Sequence, residues 1–127
     1  MKDLIISFLI IAVLIGGWLF FDNYSHKQSY ELSEYLEEVI IPLTEDENWG
    51  EVDELYDIFE EKWRSYQKVA LSFLENDQLS EIDLCVARAE KYIEAEDVSN
   101  SAGELCSIAA QLQLLDKREK VTLSNIL

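Results

Sequence analysis

Residues Leu4 to Phe21 read LIISFLIIAVLIGGWLFF, and no other stretch limits the fold of this chain so strongly. These eighteen residues carry no charge, and Ser7 is their one strongly polar side chain. At a helical rise of about 1.5 Å per residue they span roughly 27 Å, close to a bilayer core of about 30 Å. A cleaved signal peptide has a shorter apolar run and a small-x-small site after it. Here Trp18-Leu19-Phe20-Phe21-Asp22-Asn23-Tyr24 follows, and Gly16 and Gly17 lie inside the run. A soluble core helix that is apolar on all sides needs apolar surroundings, and no later segment supplies them. Neither Cys85 nor Cys106 is near the N-terminus to carry a lipid. The stretch reads as a permanent anchor at the cell membrane.

Charge leaves the orientation nearly balanced: Lys2 and the amino terminus on one side, Lys27 and His26 on the other. The short N-terminal tail favours a signal anchor with its N-terminus in the cytoplasm and residues 22–127 outside. Trp18, Phe20, Phe21 and Tyr24 are placed for an aromatic belt at the far interface. Ala12-x-x-x-Gly16 is a small-x-x-x-small pair, and a weak homodimer through it is the self-association the sequence offers.

Beyond the anchor, 106 residues remain (127 minus 21), enough for one small domain with a core. The chain has 10 Lys plus Arg against 26 Asp plus Glu, a net charge of −16. Lys2 and Asp3 cancel, so all of it belongs to residues 22–127. That charge repels nucleic acid and anionic lipid head groups. It suits a basic protein partner, divalent cations, or solubility alone. One proline, with only Gly50 and Gly103 after the anchor, leaves too few turns for an all-β domain.

Apolar spacing of three and four predicts the helices. Leu32, Tyr35, Leu36, Val39, Ile40 and Leu43 mark the first, from about Tyr24 to about Ile41. Pro42 should end or kink it. Asn48-x-x-Glu51 has the form of a capping box. Trp49, Val52, Leu55, Phe59, Trp63, Tyr66, Ala70 and Phe73 then mark a helix to about Leu74, widened by Tyr56, Val69 and Leu74. Glu60 and Arg64 offer an ion pair on its outer face. Leu79, Ile82, Val86, Ala89 and Ile93 predict a third helix over about 77–94. Ser101-x-x-Glu104 looks like a second capping box, followed by Ala102, Leu105, Ala109, Leu112 and Asp116, with Cys106, Ile108 and Leu115 beside them. Lys117, Arg118 and Lys120 suit the last turn of that fourth helix. Short connections make sequential helices antiparallel. The fold class is all-α: an N-terminal transmembrane helix and a small antiparallel bundle of three to four helices. Residues 1–21 are the anchor, 22–45 a first soluble helix or stalk, and 46–127 the acidic bundle.

The chain resembles a bacterial family of small membrane-anchored proteins, the domain of unknown function 4363. The resemblance rests on the apolar start, Asn48-Trp49-Gly50-Glu51, Glu61-Lys62-Trp63, Leu79-Ser80-Glu81-Ile82-Asp83, Ala87-Arg88, Tyr92-Ile93 and the terminal Leu123-Ser124-Asn125-Ile126-Leu127. It implies architecture and location, with no activity attached. Members often carry a histidine ahead of the third helix in an Asp-His-x-Glu segment. Asn76 stands there in this chain, so no metal or acid–base role carries over to it.

No catalytic, cofactor-binding or metal-ligating residue stands out. His26, the one histidine, is about four residues past the membrane and reads as an interfacial polar residue. Cys85 pairs in register with about residue 111 rather than Cys106, so two small buried thiols are expected in place of a disulfide. Trp49, Trp63, Tyr66 and Phe73 form either a core stripe or a ligand groove, and their helical spacing favours core. Glu45, Asp46, Glu47, Glu51, Asp53 and Glu54 cluster without the alternation or glycine of a calcium loop. The pairs Glu60/Glu61 and Glu81/Asp83 would need a pocket to act as acid and base. The expectation is a non-enzymatic interaction or scaffold protein, with an extracytoplasmic cation or ligand sensor as the alternative.

Overall fold

The structure, a computed structural model, describes the backbone of residues 1–72 and 76–126, and the side chains of these except residues 76 and 116–126. Among the described residues it is helical, without a strand. Helix α1 runs unbroken over Lys2–Glu45. Helices α2 (Trp49–Ala70), α3 (Asn76–Glu94) and α4 (Val98–Ile126) follow.

Helix α1 belongs to two environments. Its first half is long and apolar enough to cross a membrane, and its side chains stand exposed, with Phe8 at 74% and Phe20 at 73%. The change comes within one residue, because Phe21 is 1% exposed and belongs to the bundle core. Phe21 therefore does not join the aromatic belt expected from the sequence. Helix α1 enters the bundle without a break, so its core face begins at the last residue of the apolar run.

From Phe21 onward α1 is a bundle helix, burying Leu32, Leu36, Ile40 and Ile41. It does not end at Pro42. A proline ring clashes with the carbonyl four residues back and has no N–H to donate. Here the turn before it, Leu36–Ile40, is a π-helix, and the wider turn takes up the ring. The α-helix resumes over Ile41–Glu45, and Thr44 Oγ1 donates to Ile40 O at 2.8 Å.

Hydrogen bonds between helices give their directions. Ser25 Oγ and Tyr66 OH share one at 2.5 Å, and Tyr35 OH donates to Leu55 O at 3.3 Å. As the α1 number rises the α2 number falls, so the pair is antiparallel. Tyr56 OH donates to Val86 O at 2.5 Å, and Trp63 Nε1 donates to Asp83 Oδ1 at 3.2 Å, with the same sense between α2 and α3. Arg88 reaches Glu104 and Gln111 reaches Cys85, which repeats it for α3 and α4. Helix α4 also packs along α1, which closes a four-helix ring; among the described residues the backbones of neighbouring helices come close and those of diagonal helices do not.

The expected stripes form the core. Val52, Tyr56, Phe59, Trp63, Tyr66 and Ala70 are buried from α2, and Leu79, Ile82, Val86, Ala89 and Ile93 from α3. Helix α4 buries Leu105, Ile108, Ala109, Leu112 and Leu115. Val69 is exposed, so the α2 stripe is narrower than expected. Phe73 and Leu74 lie outside the described residues, as do the side chains of Asn76, Asp116, Lys117, Arg118 and Lys120 and those of the terminal segment from Leu123.

Both expected capping boxes are replaced. Glu47 (φ 59°) and Glu96 (φ 55°) adopt the left-handed conformation that closes a helix. Asn48 N–H then donates to Leu43 O and Glu47 N–H to Thr44 O; Asp97 N–H and Glu96 N–H repeat this on Tyr92 O and Ile93 O, all at 3.0 Å. With the Asn48 N–H already engaged, Glu51 has no donor to reach back to, and the Asn48 side chain makes no cap bond. Helix α4 starts earlier than expected, capped by Asp97, whose Oδ1 accepts the Asn100 N–H at 3.1 Å. Ser101 is thus an interior helical residue, with its N–H on Asp97 O.

Candidate functional site

A groove of about 530 Å³ lies between α1 and α2. Helix α1 contributes Gln28, Glu31, Leu32, Glu34, Tyr35, Glu38 and Val39, and α2 contributes Lys62. Leu32, Tyr35 and Val39 come from the apolar stripe and make an apolar floor. Glu31, Glu34 and Glu38 sit at spacings of three and four beside them, so one face of α1 carries the carboxylates along the rim. The π-turn spans Glu38 and Val39, so the proline-driven widening sets the lower end of the groove.

Tyr35 holds the centre. Its hydroxyl donates across to Leu55 O, and burial raises its pKa above the ordinary phenol value. The Lys62 ammonium lies over its ring, 5.0 Å from the centroid. A cation on an aromatic face, rimmed by carboxylates, is how proteins hold ammonium and guanidinium groups. The three carboxylates outnumber the single lysine of the lining. Chemically, the groove takes an elongated occupant with an apolar side and positive charges.

A second polar cluster joins α2, α3 and α4. Glu60 is buried, so its ion pair with Arg64 at 3.2 Å is not on an outer face as expected. Its Oε1 has no hydrogen-bond partner among the described residues. Burial raises the Glu60 pKa, the nearby Glu90 carboxylate raises it further, and Arg64 opposes them. Tyr56 is pushed up by burial first, then by Glu60 and Glu90. Arg88 pairs with Glu104 at 3.1 Å and donates to Cys85 Sγ at 3.2 Å. Gln111 Nε2 also donates to Cys85 Sγ, at 3.4 Å, which is the register expected for Cys85. This cluster reads as a polar seam between helices.

The other singled-out residues are dispersed. Trp63 and Tyr66 are core, and Trp49 is half-buried against it. Glu45, Asp46, Glu47, Glu51, Asp53 and Glu54 are all exposed around the first turn. Among the described residues no group of three or more His, Cys, Asp or Glu is arranged to hold a metal ion. His26 is exposed and its carbonyl accepts from Ser29 Oγ. Both cysteines are free thiols; Cys85 is buried, but Cys106 is exposed, against the expectation of two buried thiols. It lies one position off the α4 stripe, where the ring leaves that face open. Gly16 and Gly17 have no atom within 4 Å of an added Cβ, so that stretch of α1 is uncovered.

The sequence marks Leu32, Tyr35 and Val39 as part of an apolar stripe, but not the groove that they line or its carboxylates. Glu31, Glu34 and Glu38 flanking Tyr35 at helical spacing were the available signal. That signal marks a face of α1 without saying that α2 stands off from it.

Fold and groove define a class: an antiparallel four-helix bundle continuous with an apolar N-terminal helix and presenting an acidic, aromatic-floored groove. Residues 19–126 match the family described as Domain of unknown function (DUF4363), and the chain belongs to that family. Comparison with curated proteins and with solved structures finds no match to this chain.

Proposed function

We propose that this chain is a non-enzymatic, membrane-anchored interaction protein of the bacterial cell envelope, whose α1–α2 groove receives a basic amphipathic segment of a protein partner. The observation that carries this reading is the groove itself: Glu31, Glu34 and Glu38 around an apolar floor, with Lys62 already seated on Tyr35 as an internal cation. The apolar half of α1 supports the anchor, and the acidic bundle is held off anionic head groups by its own charge. In this reading the N-terminus is cytoplasmic and the bundle extracytoplasmic.

The binding test uses the full chain in neutral-lipid nanodiscs and a dye-labelled Lys/Leu amphipathic peptide. Binding should weaken as salt rises, because rim charges are screened. Replacing Glu31, Glu34 and Glu38 together by Gln should lower the affinity at least about tenfold, and Lys62→Gln should raise it about twofold to threefold. Equal affinity for the triple variant would sink the groove reading. Orientation is checked on the native Cys106 thiol with a membrane-impermeant reagent and Cys106→Ser as blank. Labelling of intact cells is expected; labelling only after lysis would place the bundle in the cytoplasm.

A further inference from the structure

The hydrogen bonds between α1 and α2 set how far the bundle reaches along the apolar run. Ser25 meets Tyr66 and Tyr35 meets Leu55, so each residue later in α2 stands level with one residue earlier in α1. Val69, three residues past Tyr66, therefore comes level with about Asp22, and Leu71 with about Phe20. The end of α2 thus reaches the last turn of the run Leu4–Phe21. Burial agrees with this height. Phe21 is 1% exposed, and Trp18, three residues further in, is half-buried, so packed atoms of the bundle cover one side of α1 there. On its outer side the end of α2 is bare: Val69 is 38% exposed and Leu71 49%. The turn that closes the helix is hydrogen-bonded, with Leu71 N–H on Gln67 O at 2.9 Å and Ser72 N–H on Val69 O at 3.2 Å.

We infer that the C-terminal end of α2 is a second contact with the bilayer that α1 crosses, made by Val69 and Leu71 at the boundary between head groups and acyl chains. The inference rests on the reading of Leu4–Phe21 as an anchor and adds a lipid surface for the bundle itself. An apolar run of roughly 27 Å centred in a core of about 30 Å puts the boundary about one residue beyond Phe21. Single exposed apolar side chains are ordinary on a protein surface. Height is what sets these two apart. Ile58 lies eleven residues before Val69 on the same face of α2, about three turns away, and is equally exposed at 39%. It stands about 16 Å further from the boundary, in water. The contact is shallow, because Lys68 and Asp77 beside it are exposed and stay hydrated among the head groups. Repulsion between carboxylates and anionic head groups acts on the rest of the bundle and keeps it from lying down on the surface. Two contacts with one bilayer then fix the tilt of the bundle and the height of its groove.

The test uses the full chain in phosphatidylcholine nanodiscs, carrying Cys106→Ser and one of Val69→Cys, Leu71→Cys, Ile58→Cys or Leu14→Cys. A thiol-reactive nitroxide goes to the new site, since Cys85 is buried. Electron paramagnetic resonance then reads collisions with oxygen, which concentrates in lipid, and with a nickel chelate, which stays in water. The oxygen-to-nickel ratio at Val69 and Leu71 should exceed that at Ile58 at least about threefold, with Leu14 higher still. A water-like ratio at Leu14 would overturn the anchor reading and this inference together. A lipid-like Leu14 with Leu71, the deeper of the two sites, no different from Ile58 would overturn this inference alone.

Discussion

Glu60 shows what a single residue does to this bundle. One carboxylate oxygen pairs with the exposed Arg64, while the other is buried without a hydrogen-bond partner among the described residues. Burial, then Glu90, raise its folded pKa above the ordinary 4.5. The native state therefore holds the proton more tightly than the unfolded chain. Stability falls as pH rises from 4.5 through the folded pKa, and the deficit persists above it. Glu60→Gln is expected to stabilise the bundle by about 1 kcal/mol at pH 7. The gain should vanish near and below pH 4.5, as read by urea unfolding across that range. Trp63 works in the opposite sense. It is 1% exposed and tied to Asp83, so Trp63→Ala should cost about 3–5 kcal/mol in the same assay.

At the scale of elements, the helix ends carry the chain's turn chemistry. Two left-handed glutamates, Glu47 and Glu96, close α1 and α3 where glycine is the usual residue. A side chain costs about 1 kcal/mol in that conformation, part of which glycine gives back as unfolded-state entropy. Glu96→Gly is expected to leave the fold intact and raise the thermal midpoint by a few degrees, on the order of 0.5–1 kcal/mol. A drop would mean that the Glu96 side chain makes a contact that outweighs the strain. Asp97 next to it has its pKa lowered, by the Asn100 backbone N–H first and the Asn100 side chain second. Its capping contribution is present above the ordinary 3.8 and is lost as pH falls through the lower folded value.

At the scale of the molecule, the apolar run and the bundle share one helix and overlap. Phe21 ends the apolar run yet is buried in the core. Tyr24 stacks on Tyr66 with centroids 6.3 Å apart, and Tyr66 meets Trp63 at 5.9 Å, so an aromatic chain ties the end of the apolar half of α1 to α2. A soluble fragment starting at Trp18 should therefore be more stable than one starting at Asp22 by about 3 kcal/mol, the scale of losing a buried phenylalanine. Circular dichroism melting of the two fragments checks this; equal midpoints would show that Phe21 is dispensable. The family match, which begins at residue 19, includes Phe21 as well.

The sequence by itself determined the helix periods, the apolar run long enough to cross a membrane and the acidic charge, because each depends on the order of side chains along the chain. Leu79, Ile82, Val86, Ala89 and Ile93 could be placed on a buried face by counting alone. The tertiary structure decided what depends on a neighbour. Glu60 and Arg64 pair as their spacing predicts, but only the packing of α3 against α2 decides that Glu60 is buried. The π-turn at Leu36–Ile40 reconciles the proline with a core stripe that continues past it, a conflict visible only when α1 has something to pack against. The groove follows from the same cause: the carboxylates of α1 have a direction in the sequence, and they gain a cavity only where α2 stands beside them.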